Sequence, residues 1–199
     1  MKVGLALRTR TNRRTRTIFN MSLTLATLIP GLLLLVLGGA LLSGHATVAT
    51  VLKALPRSQD AAYVFFGTGA AWFLYKVLDL SPADFGEYRT WLFIGFTVVA
   101  VLSFKFVPDF LAVRGLCVLT LLSASPLLAA GYMNFEHWQI NFYKVAVYVA
   151  IALAIWLGAQ PYWLRDFFQW LFASRARPRV VGGVLAAYGL LLAVVAFTY

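Results

Sequence analysis

Gln160–Arg179 reads QPYWLRDFFQWLFASRARPR. Within it Leu164, Phe167, Phe168 and Leu171 recur at helical spacing, while Arg165, Asp166 and Gln169 fall on the other side. An amphipathic helix with its rings at headgroup depth lies in a membrane interface instead of crossing it. The spacing predicts such a helix over 163–173. Arg175, Arg177 and Arg179 follow it and are expected to contact anionic lipid headgroups. Pro161 closes the apolar run before the stretch, and Pro178 marks the entry to the run after it.

Outward from this collar the chain is a series of apolar runs. Two flank it, 145–164 and 180–198, and four precede them, 18–42, 61–78, 91–107 and 115–133. Each suits a helix rising about 1.5 Å per residue through a hydrocarbon core of ~30 Å. The chain is 61% hydrophobic and 12% charged, with a mean hydropathy of +0.80, where a soluble domain carries roughly 25% charged residues. The expected fold is all-α: a polytopic integral membrane helix bundle of about six transmembrane helices plus one interfacial amphipathic helix. It forms a single domain over 18–199 behind a basic arm, 1–17. The expected location is a cell membrane, multi-pass, in a bacterial inner membrane.

A net charge of +10 would suggest nucleic acid in a soluble protein. Here the cations lie before and between apolar runs, so they read as contacts to a bilayer with anionic headgroups, with no nucleic-acid partner. The arm carries Lys2, Arg8, Arg10, Arg13, Arg14 and Arg16 without an acidic residue. The run behind it exceeds the roughly 7–15 residues of a cleaved signal's apolar region, so it reads as a retained anchor with a cytoplasmic N-terminus.

The number of crossings is where two rules disagree. If all six runs cross, the collar lies opposite the arm and the cations are nearly balanced between the faces. If 61–78 turned back on itself, Lys105, Arg114, Arg165 and the collar arginines would join the arm, as the positive-inside rule prefers. Lipid cannot satisfy a bare re-entrant backbone, so six crossings is the expectation, with orientation left open.

Several residues stand out against this background. Pro30–Gly31 and Ser125–Pro126 predict kinks in the first and fourth runs. Gly67 and Ala71 in the second run, and Gly182, Ala186 and Gly189 in the last, form small-residue faces for helix packing. A turn near Val48–Leu55 is expected at the interface. Lys76 and Asp79 sit on one helical face at a run's end, either paired or snorkelling to headgroups. The other candidate polar residues, Lys105, Asp109, Arg114, Arg165 and Asp166, lie at one end in either arrangement and are read as a stabilising network before a substrate site. His45 and His137 lie in connections and share a face with Glu136 only in the five-crossing arrangement. No metal and no cofactor is expected.

Cys117 is the only cysteine, so no intrachain disulfide can form. The sequence contains no H-E-x-x-H, G-x-S-x-G, Walker or Rossmann pattern. No base stands near Ser123 or Ser125 in sequence. The expectation is therefore a non-enzymatic structural or assembly subunit of a larger membrane complex. It would meet other membrane subunits, or associate with itself, through Gly182, Ala186 and Gly189. The alternative is a small-solute or ion transporter or channel using the kinks at Pro30 and Pro126 and the charges Lys76 and Asp79. A third is an enzyme acting on lipid near Arg165–Asp166.

Overall fold

The structure, a computed structural model, describes residues 21–134 and 137–199. The basic arm and Glu136 lie outside the described residues. In chain order the helices are α1 (Leu23–Ser43), α2 (Ala46–Ala54), α3 (Gln59–Leu78), α4 (Arg89–Phe106), α5 (Leu111–Ala130), α6 (Ile140–Ala159), α7 (Tyr162–Leu171) and α8 (Ala176–Ala196). A 3₁₀ turn, Leu55–Arg57, joins α2 to α3, and two more, Pro82–Asp84 and Gly86–Tyr88, join α3 to α4. Among the described residues there is no strand. Six helices, α1, α3, α4, α5, α6 and α8, are long and apolar enough to cross a membrane, so this is a multi-pass membrane protein.

The second run behaves as a full span. Helix α3 is continuous over 20 residues and lies parallel to α5. Ala62 packs on Leu111 and Ala112 at one end, and Gly69 meets Val118 further along. A segment that turned back could not keep that register. The five-crossing arrangement is thereby set aside, and successive spans alternate in direction through the bundle.

Lipid tails are as apolar as the side chains, so these helices gain their association from close packing and interhelical hydrogen bonds, not from leaving water. The α1–α8 pair shows the first. Gly31 and Gly38 on α1 oppose Gly189 and Gly182 on α8. A Cβ added at Gly38 would come within 2.7 Å of the Gly182 carbonyl oxygen, and one at Gly182 within 2.8 Å of that of Gly38. The small face predicted on the last helix is therefore filled by α1 of the same chain and is not left for a partner. On α3 the small face differs from the expected one. Gly67 has open space around it, and contact runs instead through Gly69 and through Gly115 of α5, where a Cβ would collide with the Phe66 backbone.

Tyrosines supply the hydrogen bonds. Tyr143 of α6 is fully buried and donates to the Leu127 carbonyl of α5 at 3.4 Å. Tyr188 of α8 donates to the Phe142 carbonyl of α6 at 2.9 Å. Around them Ala26, Ala124, Ile140, Tyr143, Val147 and Leu192 form the main core, drawing α1, α5, α6 and α8 together. Helix α4 stands at the edge. It packs chiefly on α3 through the Tyr63–Phe104, Phe66–Phe104 and Phe73–Phe96 ring contacts.

The later spans begin about a turn before the apolar runs, because backbone hydrogen bonding continues through the interface where hydropathy falls. Helix α8 takes Arg177, Pro178 and Arg179 into its first turn. Proline is tolerated there, since its missing N–H would have had no helical partner.

Candidate functional site at the basic end of the bundle

The sequence-predicted polar residues divide between the two ends. Lys76 and Asp79 close α3 at the end where α1 starts, both exposed. Asp79 caps α3 through its backbone N–H, bonded to the Lys76 and Val77 carbonyls. The two side chains do not pair, because the one ion pair among the described residues is Arg165–Asp166. At the opposite end lie Lys105, Asp109, Arg114, Arg165 and Asp166, with α2 and the collar. The seven residues are thus not one constellation.

Helix α7 occupies Tyr162–Leu171, close to its expected bounds, and Leu171 on its apolar face is fully buried. It packs on α2 and on the turn Leu55–Arg57. Lys53 of α2 holds its ammonium 5.7 Å from the centre of the Phe172 ring. Sequence reasoning placed an interfacial turn here but did not bring Lys53 and Arg57 to the collar. Their signal was the positive charge on a short amphipathic segment.

Arg177 does the most local work. Its Nη1 donates to the Trp170 carbonyl at 2.8 Å, and its guanidinium lies 4.7 Å from the Trp170 ring centre. The last carbonyls of a helix have no intrahelical donor, so Arg177, from the first turn of α8, satisfies the end of α7. That contact ties the end of α7 to the first turn of α8.

Phe110 joins the other parts of this end. It precedes α5 with φ 59°, in the left-handed region, which costs a non-glycine residue roughly 1–2 kcal/mol. Phe110 packs against the buried cluster Val113, Cys117 and Ala154, on which Leu157 and Leu164 also pack, so this turn abuts the core shared by α5 and α6. The Arg57 guanidinium covers the Phe110 ring at 5.4 Å.

Among the described residues the two ends differ in charge; the six cations of the arm that precedes α1 are outside that count. Lys53, Arg57, Lys105, Arg114, Arg165 and the arginines 175, 177 and 179 face only Asp60, Asp109 and Asp166 at the collar end. At the other end, among the described residues, Lys76, Arg89 and Lys144 are balanced by Asp79, Asp84 and Glu87. The collar surface can hold anionic headgroups, with rings and cations at one level. Arg165 and Asp166 are turned on each other, Nη2 to Oδ1 2.7 Å, with side chains 37% and 48% exposed. Such a pair adds little to stability.

The chain matches no family model, and comparison with curated proteins and with solved structures found no match. His45 follows α1 and His137 precedes α6, so the two histidines stand at opposite ends and cannot share a metal. Among the described residues no group of three metal-ligating side chains comes together. Serines 123 and 125 separate. Ser125 is exposed, whereas Ser123 donates to the Thr120 carbonyl at 2.9 Å beside a cavity between the helices.

Proposed function

We propose that this chain is a non-enzymatic structural or assembly subunit of a larger membrane complex, and that a transmembrane helix of a different chain docks along α4. One observation carries the reading. None of α4's apolar window is buried within the chain, while the other five spans each bury between 17% and 33% of theirs. The helix is held by one edge, through rings, and offers Trp91, Ile94, Val98, Val101 and Leu102 along one exposed face. Gly95 among them has nothing within 4 Å of an added Cβ, which permits close approach of another backbone. The basic, acid-free start of the chain supports placement in a bacterial inner membrane with that end on the cytoplasmic face.

A transporter reading would draw on Pro30 and Pro126, which line one cavity. Lys76 and Asp79 are not among the residues lining it, and its hydrocarbon walls suit an apolar chain better than an ion.

The test is native-state mass measurement from gently solubilised membranes, combined with cross-linking from Val98→Cys in a Cys117→Ala background. The expected result is a stoichiometric complex with a second chain cross-linked at α4. A lone monomer, with no cross-link from position 98, overturns the reading.

A further inference from the structure

The two proline-bearing helices meet. Pro30 lies inside α1 and Pro126 inside α5, and both line one cavity of about 440 Å³ between α1, α3, α5 and α6. A proline within a helix lacks the N–H for one backbone bond and bends the helix away from its own preceding turn. Here the two prolines border the same space between their helices.

The walls of this space are hydrocarbon: Ile29, Leu33 and Leu34 of α1, Trp72 of α3, Leu127 of α5 and Val147 of α6. Its hydroxyls are already committed. Thr120 donates to the Leu116 carbonyl at 2.8 Å, and Ser123 donates to that of Thr120. Water needs two or more polar partners to stay in a buried site, and with both hydroxyls committed as donors the lining is almost wholly hydrocarbon. Left empty, the lining would forfeit its dispersion contacts on one side. The cavity is not sealed from the bilayer, because Ile29 and Leu33 are 43% and 66% exposed. Along α1 it reaches from Met21, just before the helix, to Leu34, which is roughly 20 Å at about 1.5 Å per residue. That is a groove from one membrane surface to about the midplane, one leaflet deep.

We propose that this groove is a binding site for a single acyl chain of a membrane lipid, in the leaflet opposite the basic collar. The chain enters beside Ile29 and Leu33 and fills the space between Pro30 and Pro126. Its headgroup stays at the surface near Met21. The site is separate from α4, so it stands or falls independently of the docking reading.

The full chain is reconstituted in vesicles of phosphatidylethanolamine and phosphatidylglycerol containing a trace of phospholipid with a photoactivatable diazirine in one acyl chain. After irradiation, labelled residues are mapped by mass spectrometry. Labelling on Trp72, Leu127 and Val147 is expected to exceed that on Trp91, Ile94 and Val98, which face lipid in the same half of the bilayer when this chain is reconstituted without a partner. The expected ratio is about tenfold, which corresponds to a preference of about 1.4 kcal/mol. Ala150→Phe, and independently Ser123→Leu, should lower groove labelling severalfold while leaving labelling of α4 as it was. Equal labelling of groove and α4 in the unaltered chain overturns the proposal without reference to any variant. A cross-link from the groove to another protein chain also overturns it.

Discussion

At Gly38 and Gly115 a single hydrogen in place of a methyl sets how near two helices come. An added Cβ at Gly38 would meet the backbone of Gly182 and Ala186, and one at Gly115 would enter the backbone of α3 at Phe65 and Phe66. Backbone cannot rotate aside as a side-chain tip can, so the helices themselves must separate. Overpacking of this kind costs about 1–3 kcal/mol or more. Gly115→Val is therefore expected to lower the thermal midpoint in mild detergent by several degrees. Gly95→Ala, placed in open space, should leave it unchanged or slightly raised, since alanine is the better helix former by about 1 kcal/mol. The sequence displayed the small-residue pattern on α8, yet not its partner. Gly31 and Gly38 carry the matching spacing on α1, and local periodicity does not say which two faces will meet. On α3 the pattern Gly67–Ala71 misled because two glycines stand close together, and only packing on α5 selects Gly69.

Among the elements, α7 was the most legible. Its apolar repeat, the preceding proline and the trailing arginines each pointed to an interfacial helix, and the structure moves its ends by only a residue or two. What could not be read was its support. Leu171 is 1% exposed beneath α7, whereas Phe167 on the same helix is 42% exposed. Leu171→Ala is expected to cost about 2–5 kcal/mol, as for other buried leucines, and to loosen the turn Phe172–Arg175. Phe167→Ala should leave stability nearly unchanged. Limited proteolysis of detergent-solubilised protein checks this, through the rate of cleavage at Arg175 in the two variants. Equal rates would mean that Leu171 does not hold α7 down. The same reasoning explains why Arg177 was visible as a charge but not as a cap. Its role depends on the end of α7 lying against the first turn of α8, a relation of two elements and not of one.

For the whole molecule, length and hydropathy were sufficient to give six spans, because lipid requires every spanning segment to satisfy its own backbone. They did not settle the count of crossings against the charge rule. The register of α3 beside α5, from Ala62 to Gly69, resolves that in favour of full crossing. The cavity between Pro30 and Pro126 was beyond reach of the sequence, since the two prolines are far apart along the chain and close only in the folded bundle. The central claim is the arrangement itself: α2, the α4–α5 turn and α7 share one membrane face, and the α3–α4 connection and the end of α8 share the other. Single cysteines placed by Asp109→Cys, Ser174→Cys, Asp84→Cys and Thr198→Cys in a Cys117→Ala background, probed on intact cells with a membrane-impermeant maleimide, test it directly. Positions 109 and 174 are expected to react alike, and positions 84 and 198 to react alike in the opposite sense. Reactivity of position 84 matching that of 109 and 174 would contradict it.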